Sequence, residues 1–396
     1  MNASSLASAP LPTTCPLEAA RQLAPQIRAA ADEIEAAREL PRPLFEALAD
    51  AGLFLIAVPR EVGGSEIDLP LYVQVIEEIA KADASTAWAL NQGATFGTFA
   101  ARMQCDAART IWTDTPRSVV ANTPAPTAQA VVVPGGFRVT GRQGFSTGCK
   151  HASWIAPHAQ IIDNGEVRQR NGKPETRYLM VPKAEVELFD TWHTRGMRGT
   201  GTHTFEVKDV FVPEERSVLT GGGVPQLNGG GRYKISLTLS FAAGDGMVAL
   251  GMARSCLDAF TELAGAKAPR YMTGMLRDQP ISQFAVGQAE AALRSGRAYL
   301  MEAIHDIWDE ATQKDAVTLE RRVGLRLAGT HAIRLAAQII ESIYTASGAT
   351  AAFEGNLIQR HFQDIHVITQ HVQGRLAYYE MFGQHQMGLP VDESRL

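Results

Sequence analysis

The chain has 396 residues, of which 45% are hydrophobic and 20% charged, as expected for a globular protein with a substantial core. The formal net charge of −5 and the absence of a basic run interleaved with aromatic residues argue against a nucleic-acid-binding protein. No stretch approaches the roughly 20 apolar residues that a membrane span needs.

The N-terminal residues 1–12 are small and polar. They lack the positive charge and the apolar run of a signal peptide, so we expect a disordered tip. The four cysteines are far apart and follow no metal-binding spacing. Reduced packing thiols are the simplest interpretation, which favours a cytoplasmic location.

The first region, residues 1–117, has helical periodicity. Apolar residues recur every three or four positions over residues 17–27, and residues 71–80 repeat the pattern. Asp83 precedes the next helical pattern and is a candidate for its N-terminal cap. The sequence therefore predicts an N-terminal α-helical domain.

The second region, residues 118–228, has the pattern of short strands. Turn signals such as those at 134–136 and 171–172 separate β-favouring runs at intervals of about 8–12 residues. This spacing predicts a small barrel or sandwich and not βαβ units. The glycine-rich stretch 221–231 predicts a flexible connection. The runs lie at 119–120, 130–133, 137–140, 154–155, 177–181 and 204–207.

The third region, residues 229–396, is rich in alanine and leucine with helical spacing. Its predicted helices suggest an antiparallel four-helix bundle. With the first two regions, they place the chain in the α+β class. The four helical patterns cover residues 235–263, 281–311, 316–347 and 357–382.

Four local motifs resemble the acyl-CoA dehydrogenase superfamily. Residues 42–54 followed by 58–64 resemble the family's N-terminal helix and its turn into the next one. Residues 77–88 look like the helix that reaches the active site, and 210–213 like the exit from the β domain. The resemblance covers almost the whole chain. It implies the order of helical domain, β domain and helical bundle, and a homotetramer with its bundles packed together.

The segment 364–371, which reads Asp-Ile-His-Val-Ile-Thr-Gln-His, departs from most of that family. In the family, a glutamate a little over two helical turns past this aspartate is usually the base that removes a substrate α-proton. The corresponding place here is near Val372, with His371 beside it and no carboxylate between Ile365 and Tyr379. The resemblance therefore implies a chemistry other than acyl-CoA dehydrogenation.

Two segments resemble the two-component flavin monooxygenases built on this fold. One is Phe-Ser-Thr-Gly at 145–148, followed by His-Ala-Ser-Trp; the other is Asp-Ile-His with a second histidine five residues later, His371. These enzymes take reduced flavin from a separate NAD(P)H:flavin reductase and use O₂ to hydroxylate phenols, indoles, thiophenes or amines. The resemblance implies a C4a-hydroperoxyflavin held in a dry pocket, with FMN or FAD left open.

The same resemblance assigns catalytic roles to Ser146 and His371. A hydroxyl at Ser146 would donate to flavin N5 or O4, and a neutral imidazole at His371 would hold the oxygen or take a proton from the substrate. The structural alternatives are a hairpin serine that satisfies the backbone and a histidine on a helix surface. For His366 a packing role is preferred.

Further candidates follow from their place in the family pattern. Arg198 lies in a glycine-rich loop that would pass beside the flavin, where a guanidinium could offset the charge of the reduced ring. Trp88 and Asn91, one turn apart on a predicted helix, would line the substrate side, although Trp88 could equally be a core residue. The predicted cofactor-binding residues are Ser146, Thr147, Asn122, Thr123, Arg198 and Thr200.

One departure concerns how tightly the cofactor is held. Acyl-CoA dehydrogenases commonly carry Arg-x-x-Phe-Gly before a Pro-Ile pair, and that arginine grips the flavin pyrophosphate of a neighbouring subunit. Here Gly274 stands in its place, with Arg277 near enough to substitute. A diffusing reduced flavin is therefore favoured over a permanently bound FAD. Motifs for nicotinamide, P-loop or nucleophile-elbow sites are absent, and His361 and His366 have poor spacing for a metal.

The leading hypothesis is thus a reduced-flavin-dependent monooxygenase acting on an aromatic or heteroaromatic small molecule. Its variant is an amine N-hydroxylase of the same fold. The rivals are an acyl-CoA dehydrogenase whose base is relocated to Glu341 or Glu354, and a non-catalytic flavin or ligand binder.

Overall fold

The computed structural model describes residues 14–221, 227 and 230–396, and its elements follow the predicted order of helices, strands and helices. The predictions for residues 1–12 and for most of the glycine-rich stretch lie outside the described residues. Within the described part, no helix is both long enough and apolar enough to cross a bilayer.

The N-terminal part is helical, as predicted. Its α4 and α5 helices meet at Asp83, whose carboxylate accepts a hydrogen bond from Thr86 N at 2.6 Å. This confirms the predicted cap. Nearly every residue of α5 is buried, so this helix runs through the interior. The helices are α1 Pro16–Ala29, α2 Ala31–Ala37, α3 Arg42–Asp50, α4 Leu69–Ala82, α5 Ala84–Phe96 and α6 Cys105–Trp112.

The middle part consists of paired strands, as predicted. A three-stranded sheet has the order β1-β4-β10, and a larger sheet has the order β11-β12-β3-β2-β5-β9-β13, with β6 beside β5. The strands are β1 Val120–Asn122, β2 Ala128–Val133, β3 Gly136–Ser146, β4 Trp154–Ala156, β5 His158–Asp163, β6 Glu166–Val167, β7 Gln169–Arg170, β8 Lys173–Pro174, β9 Thr176–Leu179, β10 Val181–Pro182, β11 Glu187–Phe189, β12 His203–Pro213 and β13 Ser217–Leu219.

The C-terminal part has three long helices and two short ones. The prediction of one helix over 357–382 is wrong, because the chain leaves helical geometry after Ile368 and resumes it at Ala377. His371 lies in the connecting turn, not on a helix surface. The helices are α7 Leu237–Ala266, α8 Pro280–Gln313, α9 Leu319–Ser347, α10 Leu357–Ile368 and α11 Ala377–Gln386.

Side chains of α9 explain this break. Arg334 donates to the carbonyl oxygens of Gly374 at 2.7 Å and Thr369 at 3.2 Å, and the Thr330 hydroxyl donates to Gln373 O at 2.8 Å. Carbonyls that a continuous helix would satisfy internally therefore find partners on a neighbouring element. Tertiary packing outweighs the local helical pattern here.

Candidate active site

His371 stands where three elements of the fold converge. Its imidazole packs edge-on against Trp88 of α5, with ring centroids 4.9 Å apart and an interplanar angle of 85°. Its Nδ1 atom lies 3.4 Å from Oδ2 of Asp245 on α7. About a third of the His371 side chain remains exposed. The contact brings together the predicted catalytic histidine and one predicted substrate-side residue.

Asp245 is a site residue that the sequence reasoning missed. Its carboxylate is fully buried, and Oδ1 accepts hydrogen bonds from Asn91 Nδ2 at 2.8 Å and Gln92 Nε2 at 3.3 Å. Asp245 is the sole charged residue between Leu237 and Ala253. That isolation was the available signal, because a charged side chain in an apolar helix is rarely buried without a partner.

Two glycines let neighbouring helices reach α7 beside this carboxylate. A Cβ atom at Gly244 would lie 2.1 Å from Asn91 Oδ1, and one at Gly246 would lie 2.9 Å from Leu300 Cδ2. Both separations are too short for real side-chain contacts. The glycines therefore permit the close packing of α5 and α8 against α7 on either side of Asp245 in the sequence.

The structure gives Asn91 a role different from the predicted substrate contact. Its side chain is fully buried, and Oδ1 accepts hydrogen bonds from Tyr72 Oη at 2.9 Å and Thr95 Oγ1 at 3.2 Å. Its Nδ2 is engaged by Asp245. Burial raises the pKa of Tyr72 to about 12, so this hydroxyl stays protonated and can donate. Asn91 thus holds Asp245 in place, and its contact with the substrate stays a prediction.

Ser146 closes β3 with an unused hydroxyl group. The residue is fully buried, and its Oγ has no hydrogen-bonding partner among the described residues. The alternative that this serine satisfies the hairpin backbone is therefore wrong. A buried polar group left unpaired costs about 1–3 kcal/mol, so this hydroxyl is available to pair with a ligand. The preceding Phe145 has φ +60°, an uncommon conformation for a bulky residue and one that often occurs at functional sites.

A second unpartnered polar atom belongs to His203, which lies directly opposite Ser146 in the β3–β12 ladder. Its Nδ1 accepts hydrogen bonds from the backbone N–H groups of Thr191 and Trp192, each at 3.3 Å. Burial lowers the pKa of His203, which favours the neutral ring, and the two N–H groups that face Nδ1 favour a proton on Nε2. This Nε2 is buried without a partner among the described residues. Opposed side chains share a sheet face. The sequence reasoning did not find His203.

The predicted threonines use their hydroxyl groups within the protein. Thr147 and Thr200 both contact Thr202, with oxygen separations of 2.9 Å and 2.7 Å. Thr123 donates to Gly144 O at 2.8 Å, and Asn122 lies half-buried beside it at the end of β1. These contacts shape the wall next to Ser146. The predicted roles of these residues in cofactor binding stay predictions.

Arg198 is engaged elsewhere than predicted. Its Nε lies 3.0 Å from Glu35 Oε1 of α2, and its guanidinium donates to the carbonyl oxygens of Glu35 and Thr194, both at 3.2 Å. The positive charge therefore already faces a carboxylate of the N-terminal domain. That Arg198 offsets the charge of the flavin stays a prediction.

Asp364 anchors the glycine-rich loop to α10. Its Oδ1 accepts a hydrogen bond from Met197 N at 2.5 Å, and a Cβ atom at Gly196 would lie 2.3 Å from Gln363 O. Burial raises the pKa of Asp364 to about 8, opposed by the Met197 N–H. The aspartate of the Asp-Ile-His motif is thus a structural link, while His366 is exposed and contacts Phe362 O one turn earlier, at 2.7 Å.

Three predictions concern positions outside this cluster. Gly274 has φ +86°, a backbone conformation in which an arginine would be strained. Arg277 is exposed. Glu341 and Glu354, the candidate relocated bases, are both exposed. Among the described residues, no group of three or more histidine, cysteine, aspartate or glutamate side chains could hold a metal ion.

Comparison with known proteins agrees with this architecture. The family model "Acyl-CoA dehydrogenase, N-terminal domain" matches residues 17–103, and "Acyl-CoA dehydrogenase, C-terminal domain" matches residues 243–375. Indole-3-acetate monooxygenase of Pseudomonas putida is 32% identical over 89% of this chain and 88% of that protein. The chain belongs to the acyl-CoA dehydrogenase superfamily, in its flavin-dependent monooxygenase branch.

Two further relatives are named as a monooxygenase and a hydroxylase. The crystal structure of the HsaA monooxygenase from Mycobacterium tuberculosis superposes with a TM-score of 0.86 at 28% identity, covering 96% of this chain and 99% of that one. HsaA is described as a flavin-dependent monooxygenase, oxygenase subunit. The FADH(2)-dependent resorcinol hydroxylase, oxygenase component, of a Rhizobium species is 25% identical over 91% of each chain.

Proposed function

We propose that this monooxygenase is the oxygenase component of a two-component system that hydroxylates an aromatic or heteroaromatic small molecule with O₂ and reduced flavin. The observation that carries the proposal is His371, an imidazole near the position where acyl-CoA dehydrogenases have their catalytic base, a glutamate. The buried carboxylate of Asp245 lies beside this imidazole. Substrates named for the relatives, indole-3-acetate and resorcinol, are aromatic. The exposure of Glu341 and Glu354 gives no support to a relocated base.

The residues present fit a reduced flavin, FMNH₂ or FADH₂. When bound, the flavin supplies the electrons that activate O₂. The unpartnered hydroxyl of Ser146 and the Nε2–H of His203 offer two buried hydrogen-bond donors on one face of the β domain. Thr147, Thr200, Thr123 and Asn122 would form the surrounding wall. Gly274 in place of the gripping arginine favours a flavin that enters and leaves.

His371 would act on the oxygen and the substrate. A neutral imidazole can hold an oxygen atom by a hydrogen bond, or accept the proton of a phenol hydroxyl or an indole N–H group. Trp88 covers one side of the His371 imidazole ring and helps to exclude water. Water would otherwise divert activated oxygen to hydrogen peroxide. Substrate contact is therefore proposed for Trp88 and His371.

The remaining proposals concern partners. The names "oxygenase subunit" and "oxygenase component" of the relatives support a separate NAD(P)H:flavin reductase as the source of reduced flavin. We also propose a homotetramer in the cytoplasm. Exposed apolar side chains at the start of α8 support contact between subunits.

The test is anaerobic mixing of the protein with chemically reduced FMN or FAD, followed by O₂ and a panel of indoles and phenols. We expect the near-ultraviolet absorbance that arises when oxygen adds to reduced flavin, and a product labelled from ¹⁸O₂. Bleaching of bound oxidised FAD by acyl-CoAs would instead support a dehydrogenase. Failure to use reduced flavin and O₂ productively with any member of the panel would support a non-catalytic binder.

A further inference from the structure

Asp245 and His371 each have one side-chain atom that is available for a hydrogen bond to the other residue. The 3.4 Å separation of Oδ2 and Nδ1 is slightly longer than an aligned hydrogen bond, and neither atom has another hydrogen-bonding partner among the described residues. Such contacts in ligand-free active sites often tighten when the substrate binds. Oδ2 of Asp245 and Nδ1 of His371 are therefore placed to move closer and form an aligned hydrogen bond.

We propose that Asp245 is a positioning residue that accepts a hydrogen bond from Nδ1–H of His371 and so keeps the lone pair of Nε2 turned towards the reacting groups. The inference rests on the proposed function and deepens it by assigning the tautomer of the catalytic imidazole. A carboxylate is only an acceptor, so it can pair with the Nδ1–H tautomer and not with the Nε2–H tautomer.

The orientation of the Asp245 carboxylate is fixed by its other hydrogen bonds. Its Oδ1 is held by the amide groups of Asn91 and Gln92, which leaves Oδ2 for the imidazole. Asn91 is itself locked, because Tyr72 and Thr95 donate to its Oδ1. The orientation of Asp245 is thus set by two layers of buried hydrogen bonds from α4 and α5.

The charge of Asp245 is compensated from a second direction. Arg326 of α9 is fully buried and interacts electrostatically with Asp245, and its guanidinium also hydrogen-bonds to the side chain of Gln373 in the turn that carries His371. A buried carboxylate without such support would be strongly destabilising. The same cation therefore compensates the carboxylate and fixes the turn.

This arrangement permits the transfer of a proton from the substrate to His371. With the lone pair of Nε2 available, the O–H bond of a phenol or the N–H bond of an indole breaks, and the proton forms the Nε2–H bond. The substrate becomes an anion and the imidazole a cation, which the carboxylate of Asp245 stabilises. After oxygen transfer, Nε2 returns the proton to the oxygen or nitrogen atom of the product, which restores the neutral imidazole.

The substitution Asp245→Asn tests the idea sharply, because the local hydrogen bonds predict how the new amide would orient. The donors of Asn91 and Gln92 require the amide oxygen at the Oδ1 position. The amide NH₂ would then face His371 and donate to Nδ1, so the imidazole would carry its proton on Nε2. The variant has nearly the same shape and reverses the tautomer.

The first readout is the ¹⁵N NMR spectrum of histidine-labelled protein without flavin, at neutral pH. The His371 signal is identified by its loss in His371→Ala. We expect the Nδ1–H tautomer in the parent protein and the Nε2–H tautomer in Asp245→Asn. Observation of Nε2–H in the parent protein overturns the proposal, whether or not the variant folds.

The second readout is the fraction of reduced flavin that is lost as hydrogen peroxide. We expect Asp245→Asn to raise this fraction several-fold and Asp258→Asn, which removes an exposed charge of the same helix, to leave it unchanged. Added to His371→Ala, Asp245→Asn should change the fraction by less than about twofold, because both act through one imidazole. Full additivity, or normal coupling in Asp245→Asn, contradicts the proposal.

The two proposals can fail separately. If the parent protein does not use reduced flavin and O₂, the proposed function fails, while the NMR result still reports the hydrogen bond between Asp245 and His371. If the parent protein hydroxylates with the Nε2–H tautomer, the function stands and the positioning role of Asp245 is lost.

Discussion

At the residue scale, the site is marked by buried polar atoms that lack partners. Ser146 Oγ and His203 Nε2 face one side of the β domain without a hydrogen bond among the described residues. Folding a chain with such groups costs free energy, which a ligand that completes the hydrogen bonds would offset. These groups therefore make folding locally less favourable. Two substitutions test the residues of the site.

The first substitution is Ser146→Ala. Removal of an unpaired buried hydroxyl should leave the free energy of unfolding unchanged or raise it by about 1 kcal/mol, while the yield of hydroxylated product per reduced flavin falls. Thr147→Val, one residue on, removes a hydroxyl that does have a partner and should lower stability by about 1 kcal/mol. Urea unfolding of both variants checks the contrast. A marked loss of stability in Ser146→Ala would show that its hydroxyl is structural.

The second substitution is His371→Ala. Loss of the imidazole should increase uncoupled peroxide formation while the fold stays intact, because about a third of the side chain is exposed. His366→Ala is the matched control, since this exposed histidine contacts a carbonyl of its own helix. Peroxide and product are measured with reduced flavin supplied chemically. Normal coupling in His371→Ala would remove this residue from the mechanism.

At the element scale, α7 depends on close approach of its neighbours. In Gly244→Ala the new methyl group would collide with Asn91 Oδ1 at 2.1 Å and displace the amide that holds Asp245. We expect a loss of about 1–3 kcal/mol in stability, together with poorer coupling. Gly324→Ala in α9 meets open space and should stabilise the protein by about 0.5–1 kcal/mol. Thermal unfolding distinguishes the two, and equal effects would contradict the packing argument.

The contact of α10 with the 196–201 loop predicts a pH dependence. The folded pKa of Asp364, about 8, lies above the ordinary value of 3.8, so the folded state favours the protonated carboxyl. Its contribution to stability is complete below about pH 4 and is lost as pH rises towards 8, because the unfolded chain gains by ionisation. Asp83, Glu35 and Arg360 are the other charged groups that influence this carboxyl.

Asp364→Asn keeps an acceptor for Met197 N and removes the titration. Its stability relative to the parent should rise between pH 5 and 8, by on the order of 1 kcal/mol per pH unit. Asp32→Asn, which changes a mostly exposed carboxylate, is the control and should show no such slope. Urea unfolding at three pH values measures the difference. A relative stability that falls with pH would refute the assignment of a protonated Asp364.

At the scale of the whole molecule, the proposed tetramer has an identifiable surface. Ile281 and Phe284 at the start of α8 are 71% and 66% exposed, beside a groove of about 700 Å³ that Met272 also lines. Contiguous exposed apolar side chains usually indicate an interface. The double substitution Ile281→Glu with Phe284→Glu should therefore lower the molecular mass measured by light scattering.

The parent protein should have about four times the chain mass of 42.8 kDa in that measurement. Phe211→Glu provides the control, because Phe211 is an exposed aromatic residue of β12 in the β domain. An unchanged mass in the double variant, or a monomeric parent protein, would place the interface elsewhere or exclude it.

Local sequence determined the order of helical, β and helical regions, the cap at Asp83 and the presence of His371 near the place of the acyl-CoA dehydrogenase glutamate. These features depend on periodicity, capping chemistry and residue identity, which are local properties. The break after Ile368, the salt bridge of Arg198 with Glu35 and the pairing of Asp245 with His371 were decided by tertiary structure alone. Each joins residues far apart in the chain, and no periodic pattern records which buried partner satisfies which polar atom.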